Sequence, residues 1–318
     1  MARVLLTGGS SFTGLWIAEA LAARGHAVVA PLKRGLSDYS GLRGERVARL
    51  AGAAELVFEA PFGSGPFLDL IEGQRFDLLA HHAADIPNYR SADYDVVAGA
   101  ARNVEGAREV FRALARRGAG AVVATGTAFE SGEGGEGPGA LAVSPYGLSK
   151  SLTNQTFRHF ARWEGLGFGK FVIAGPFGVL EEGRFAWSMF QAWFAGRAGE
   201  IRAPRYVRDN LPVPLLGRAY ADLVEAMLAG PGGDQVARPQ GFVGTQDDFG
   251  RRLAAEMAPR LGLACATEAW AQPELAEPEV RINSEPCLTE DWDERGFWDD
   301  YAAYYQRIAR DGTLSAPA

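Results

Sequence analysis

LLTGGSSFTG, residues 5–14, runs from a short apolar stretch through a glycine-rich turn into residues that suit a helix. Gly8 can make the tight turn, and Gly14 lets the helix pack closely on the strand. The N–H groups at the start of such a helix have no intrahelical acceptor and can hold a pyrophosphate. Ser11 stands where the usual pattern has its middle glycine. A lone glycine turn is a weak signal; its weight comes from the chain around it.

Outward from that turn, short apolar runs alternate with helical spacing. Val4–Thr7 reads as a strand, 15–24 as a helix, 26–30 and 76–84 as strands. Residues 104–117 carry apolar side chains at 104, 107, 110, 111 and 114, the spacing of one helix face. A strand at 121–125, a helix at 146–163 and a strand at 170–175 follow. Strands alternating with helices of this length predict an α/β fold, a Rossmann-type doubly wound parallel sheet. The pattern weakens after residue 175. We therefore expect a dinucleotide-binding domain over 1–174 with a returning segment near 211–231. A smaller C-terminal α/β substrate domain is expected over 175–210 and 232–318. ESGEGGEGPGA, residues 130–140, reads as a mobile loop, a flap over a site, and 312–318 as a frayed terminus.

Composition excludes several classes. The chain has 318 residues, 47% of them apolar, and a net charge of −7 without a basic face, so no nucleic-acid groove is expected. No signal peptide or membrane-length apolar run is visible, which predicts a soluble cytoplasmic protein. Cys265 and Cys287 lack metal-ligand spacing and read as free or buried thiols; no metal site is expected.

SPYGLSK, residues 144–150, carries the chemistry. Only three lysines occur, at 33, 150 and 170, and one of them follows Tyr146 by four positions. On a helix those two side chains share a face. An ammonium beside a phenol favours the phenolate, so Tyr146 can exchange a proton with a carbonyl or alcohol while Lys150 holds the nicotinamide ribose. Thr127, just past the strand at 121–125, is the candidate to orient the carbonyl, with Thr125 competing. At the end of the second strand the chain reads Leu32, Lys33, Arg34, with no acid to accept from a ribose 2′-hydroxyl. The cationic pair suits a 2′-phosphate, so the cofactor is read as NADP(H).

These residues resemble the extended short-chain dehydrogenase/reductase family of sugar-nucleotide epimerases, dehydratases and reductases, over almost the whole chain. TGGSSFTG is similar to its TGGxGFxG, HHAA (81–84) to its HLAA, and NVEGA (103–107) to its NVxGT. TAFESG (127–132) is similar to Ser/Thr-x-x-x-Tyr-Gly, SPYGLSK to SPYGxSK, PFGVL (176–180) to PFNVYGP, and YVRDNLPV (206–213) to RDFxxVxD. GFVGTQDDFGRRLAAEM (241–257) resembles the late strand and helix of the same enzymes.

The resemblance implies a catalytic triad of Thr127, Tyr146 and Lys150. It implies cofactor contacts from Gly8, Ser10, Ser11, Phe12, Thr13, Gly14, Lys33, Arg34, His82, Ala83, Ala84 and Pro176, besides Tyr146 and Lys150. Arg208, Asn88, Phe177 and Arg281 are the implied substrate contacts, Arg208 at a diphosphate. Dehydratases of the family carry acids directly after the catalytic Thr; here those positions are Ala128 and Phe129. NAD-holding 4-epimerases carry the acid after strand two that is missing here. The expectation is an NADPH-dependent reductase of a keto group on a nucleotide-linked sugar, a 4-keto-6-deoxyhexose 4-ketoreductase. An epimerase or dehydratase of the same family, a reductase of a non-sugar carbonyl, and a non-catalytic NADP(H)-binding regulator stand as alternatives. Gly178, Gly175 and Ser131 depart from the family's Asn, Arg and Tyr. A homodimer is expected through the helices at 104–117 and 146–163.

Overall fold

The computed structural model describes residues 1–315 except 86, 89, 90, 136, 138, 231, 232 and 275–277. From the N-terminus the strands are β1 (Arg3–Thr7), β2 (Ala27–Pro31), β3 (Glu55–Val57), β4 (Leu78–His81), β5 (Ala121–Thr127) and β6 (Gly167–Ile173). There follow β7 (Gly175–Phe177), β8 (Gly199–Ile201), β9 (Val207–Pro212), β10 (Asp234–Ala237) and β11 (Pro239–Gln240). The last are β12 (Phe242–Thr245), β13 (Thr267–Ala269), β14 (Val280–Arg281) and β15 (Glu285–Pro286). The helices are α1 (Phe12–Ala23), α2 (Gly41–Leu50), α3 (Gly65–Gly73), α4 (Val96–Val104) and α5 (Ala107–Arg116). Then come α6 (Pro145–Trp163), α7 (Phe185–Phe194), α8 (Val213–Ala229), α9 (Gln246–Leu261) and α10 (Glu294–Arg310).

Two units divide the chain: residues 1–173 with 214–239, and residues 174–213 with 240–318. The first holds a seven-stranded sheet in the order β10-β6-β5-β4-β1-β2-β3, with every neighbouring pair parallel. Helices α3, α5 and α6 cover one face, where Phe67, Ile71, Phe111, Leu114 and Phe157 pack on Leu5, Leu79 and Val122. Right-handed crossovers put α1 and α2 on the other face, where α8 passes so close to α1 that a side-chain carbon at Gly217 would meet the Trp16 carbonyl. β10 adds an edge beside β6, and Arg158 and Arg162 of α6 reach its Asp234 at 2.5 and 2.6 Å. Residues 234–239, expected in the second domain, therefore belong to the first.

Two other expectations change. The helix expected over 104–117 begins only at Ala107, because Gly106 adopts a left-handed conformation (φ 70°) that separates α5 from α4, which ends at Val104. The strand expected to reach residue 84 stops at His81, where the Thr7 hydroxyl takes the next two backbone N–H groups, of His82 (3.1 Å) and Ala83 (3.0 Å).

In the second unit, β9 pairs antiparallel with β12 and parallel with β7 and β14. The aromatic segment near the C-terminus is α10, whose Phe297, Trp298, Tyr301, Tyr304, Tyr305 and Ile308 form a buried stripe at helical spacing. Leu314, expected in the frayed terminus, is buried, and its carbonyl accepts from Gln191 at 2.7 Å. The Tyr301 and Tyr305 hydroxyls both donate to Oε1 of the buried Glu181, Tyr305 at 2.5 Å. Burial pushes the Glu181 carboxyl up to about 7, against the two tyrosine hydrogen bonds that pull it down.

A raised carboxyl means that the folded unit holds a proton the unfolded chain has already released. Its contribution to stability is complete below the unfolded value of about 4.3 and is lost as pH rises to about 7. Glu181→Gln should flatten this dependence, which spans roughly 4 kcal/mol. Chemical denaturation of both proteins at pH 5 and pH 8 checks it. A stability difference between them that stays constant with pH would refute the linkage.

Candidate functional site

The residues of SPYGLSK are placed by local rules. Ser144 caps α6, its Oγ accepting from the Gly147 N–H at 3.0 Å, and Pro145 takes the first helical position, where no N–H is needed. The chain at Phe129 passes so near Gly147 that a side-chain carbon there would collide with the Phe129 carbonyl. Tyr146 is half-buried, edge-on to Tyr94 and Phe129, with ring centroids 6.4 and 6.1 Å away. Lys150, one turn later, is only 6% exposed. Burial lowers its pKa; the Glu130 charge opposes that shift, and Lys170 adds to it.

Thr127 ends β5 and is buried, its Oγ1 accepting from the Phe129 N–H at 3.4 Å. Thr125 spends its hydroxyl on His82, 2.9 Å from Nδ1, while the His82 Nε2 lies 2.8 Å from the Thr13 Oγ1 of α1. His82 thus ties the glycine turn to β5. Burial, followed by the Lys150 charge, lowers its pKa to about 3, so one ring nitrogen donates and the other accepts. His81 also falls to about 3, chiefly through burial. The Thr7 hydroxyl already accepts two N–H groups, so its own hydrogen goes to His81 Nδ1 at 3.2 Å.

The glycine turn lies where β1 and β4 end in register, Thr7 opposite His81, at the point where the strand order reverses. Open α/β sheets bind ligands at such a point. Gly8 has φ 75°, and a side-chain carbon there would lie 2.7 Å from the Ala83 nitrogen; one at Gly14 would strike the Gly8 carbonyl. Ser11 has a structural role: it caps α1, accepting from the Gly14 N–H at 3.0 Å and donating to the Gly8 carbonyl at 2.8 Å. The cradle, with the leading N–H groups of Phe12 and Thr13, fits a dinucleotide pyrophosphate. Ser10 and Ala83 are half-buried beside it, Ala84 is exposed, and Lys33 and Arg34 are exposed beyond the end of β2.

In the second unit Arg208 of β9 and Arg281 of β14 are register partners, so their side chains start from one face of that sheet. Arg208 stacks on Tyr206 and donates to the Val207 (2.8 Å), Glu279 (3.0 Å) and Pro278 (3.4 Å) carbonyls. Pro176 is buried on β7. Phe177, expected at the substrate, is instead a core side chain, 3% exposed among Phe249, Phe297, Trp298 and Tyr301. Asn88 of the first unit is an exposed turn residue with φ 52°.

The loop expected to be a mobile flap is anchored. Glu130 and Glu133 are buried; Lys170 meets them at 2.8 and 3.0 Å, and Arg238 holds Glu133 at 2.6 Å. Glu136 and Pro138 of that loop lie outside the described residues. Sequence reading singled out none of Glu133, Lys170 or Arg238. A glutamate in a glycine-rich stretch looks solvated, and only the partners from β6 and from beyond β10 reveal otherwise.

The histidines give a direct check. Both imidazoles should stay neutral from pH 8 to below 5 in nitrogen-detected NMR of the folded protein. Because their folded values are depressed, the stability they confer is present above the unfolded value of about 6.5 and declines as pH falls below it. Titration of either ring between pH 6 and 7 would refute the buried network.

Comparison with known proteins bears on this geometry. A family model described as the NAD dependent epimerase/dehydratase family matches residues 4–202. A search of curated protein sequences found no significant match. Among solved structures, the UDP-glucose 4-epimerase of Thermotoga maritima with UDP-glucose is similar at 18% identity and a TM-score of 0.72, over 96% of this chain and 99% of that one. The UDP-glucose 4-epimerase of Thermus thermophilus in complex with NAD is similar at 19% identity and 0.69, over 96% and 99%. The UDP-N-acetylglucosamine 4-epimerase of Methanobrevibacter ruminantium, in complex with UDP-N-acetylmuramic acid, is similar at 16% and 0.71, over 96% and 98%. At these identities the likeness speaks for the fold. With the family match over most of the first unit, the Tyr146–Lys150 turn and the glycine cradle, the chain belongs to the NAD dependent epimerase/dehydratase family, as an NAD(P)-dependent enzyme of the extended short-chain dehydrogenase/reductase type.

Proposed function

We propose that the protein reduces a keto group on a nucleotide-linked sugar with NADPH, as a 4-ketoreductase acting on a 4-keto-6-deoxyhexose. The observation that carries the redox chemistry is the half-buried Tyr146 phenol one turn ahead of the buried Lys150 ammonium. The nicotinamide, when bound, supplies the hydride. Tyr146 gives its proton to the oxygen that gains charge as the carbonyl is reduced, and the adjacent ammonium eases the loss of that proton. Thr127 donates its hydroxyl hydrogen to the same oxygen. Gly8, Phe12, Thr13 and Gly14 are the proposed pyrophosphate cradle, with Ser10, Ser11, His82, Ala83, Ala84 and Pro176 as further cofactor residues. Lys33 and Arg34 supply the charge for a 2′-phosphate. For the second unit we propose Arg208 and Arg281 as the cationic pair for the substrate's diphosphate. Asn88 remains a proposed substrate contact.

A second reading, 4-epimerisation of an NDP-sugar, is favoured by one observation: the solved structures similar over nearly the full chain are 4-epimerases. The two readings differ in what happens to the cofactor. An epimerase returns its hydride to the same substrate and has no need to release it; a reductase must exchange it each turnover. Purified protein incubated with NADPH, or NADH in parallel, and a panel of nucleotide-linked 4-keto-6-deoxy sugars should consume NADPH stoichiometrically with product. Tyr146→Phe should lower kcat by about 10²–10⁴-fold while NADPH binding persists. Isolation of the protein with tightly held NAD⁺, together with interconversion of UDP-hexoses, would favour the epimerase instead.

We also propose a homodimer. α4 and α6 pack on each other and leave Val97, Leu148 and Leu152 exposed, whereas the outward residues of α5 are the charged Arg108, Glu109 and Arg112. The surface is therefore α4 with α6, not the stretch 104–117 expected from sequence. Leu148→Glu with Leu152→Glu should convert a dimer to a monomer in sedimentation; a wild-type monomer at micromolar concentration refutes it.

A further inference from the structure

Glu130 lies three residues past Thr127 and is 1% exposed. Every partner of its carboxylate is a donor: the Thr127 N–H at 2.8 Å, the Asn154 amide at 3.0 and 3.1 Å, and the Lys170 ammonium at 2.8 Å. A protonated carboxyl would set its own hydrogen against one of these, so the group is ionised. Asn154 turns its amide nitrogen to Glu130 even though its Oδ1 is left buried without a partner. The sequence has made room for the cluster. A side-chain carbon at Gly126 would lie 2.6 Å from the Glu130 Oε1, 2.7 Å from the Lys170 Cε and 3.2 Å from the Asn154 Nδ2.

Those contacts fix a negative charge next to the catalytic turn. Asn154 follows Lys150 by four positions on α6, one turn along the same helix face. Thr127, which Glu130 also holds, is the end of β5. A buried ammonium needs a compensating charge. Thr127 carries no charge and His81 and His82 are neutral, while Lys170 is shared between Glu130 and Glu133.

We propose that Glu130 is a positioning residue for the reaction: its carboxylate anchors the end of β5 and supplies the charge that keeps Lys150 an ammonium behind Tyr146. The inference rests on the role given above to the Tyr146–Lys150 pair, yet it can be tested without turnover. With only three lysines in the chain, ε-carbon-labelled lysine gives three NMR resonances, assignable with Lys33→Arg and Lys170→Met. The titration is followed in a Tyr146→Phe background, so that no phenol couples to it. Glu130→Gln should lower the pKa of Lys150 by about one unit relative to that background. The charge-balanced pair Glu130→Gln with Lys170→Met should lower it by less, since the repulsion from Lys170 goes too. This second variant also serves if the single one fails to fold. A Lys150 titration unchanged by either variant, with only the melting temperature lowered, would make Glu130 a structural residue and overturn the proposal. Loss of turnover in Tyr146→Phe bears on the reading of the triad and leaves this titration unaffected.

Discussion

An ammonium with almost no exposed surface sits at the second turn of α6, and much of the first unit is arranged around that charge. A cation in such a place loses its hydration, and the loss is tolerable only where fixed charges and dipoles replace the water. The chain does this without putting an acid in the Ser144–Lys150 turn itself. His81 and His82 are held neutral, hydrogen-bonded to threonines rather than to carboxylates. The buried acids Glu130 and Glu133 are bridged by Lys170, and Arg238 holds Glu133. On the proposal made above, Glu130 supplies the charge that the ammonium needs.

Threonine hydroxyls do most of the joining between strands and turn. Thr7 ends β1, receives two N–H groups from the chain after β4 and donates to His81, which ends that strand. Thr13 and Thr125 meet on His82, joining the first turn of α1 to β5. A hydroxyl both donates and accepts, so it can serve a neutral imidazole of either tautomer. Lowering the pH strains this network before it strains the second unit, where the raised Glu181 carboxyl favours the folded form in acid. The ionisable cores of the two units thus respond to pH in opposite senses.

Most of the doubly wound half was legible because its signals are local. Strand periodicity, the glycine turn and the Ser-Pro cap each follow from residues within one or two turns of each other. The second unit was less legible for a physical reason. β14 has two residues and β9 takes three partners, so its sheet is specified by contacts between segments about thirty to seventy residues apart. α10 carries its signal in aromatic residues at helical spacing, a period masked by a Trp- and Tyr-rich composition more typical of strands. At the site, the Tyr–Lys pair and the cradle could be found from spacing, because a helix fixes i and i+4 together. The Glu130 cluster could not, because Lys170 and Arg238 reach it only through sheet pairing and the turn beyond β10.

The end of β2 shows how cofactor exchange and cofactor identity connect. An acid there would accept two hydrogen bonds from a ribose and repel a 2′-phosphate; Leu32 is buried in its place, and the cations that follow are exposed. Exposed charges contribute to affinity in a way that salt screens and solvent competes with. In the cofactor role proposed for them, they select a phosphate without burying it. A cofactor held this way leaves more readily than one anchored by buried bonds to its ribose, which is what a reaction that consumes one cofactor per turnover requires. On the proposed reading, the same loop that disfavours NAD also favours release, so cofactor identity and the choice between reduction and epimerisation are linked through one loop outside the Ser144–Lys150 turn.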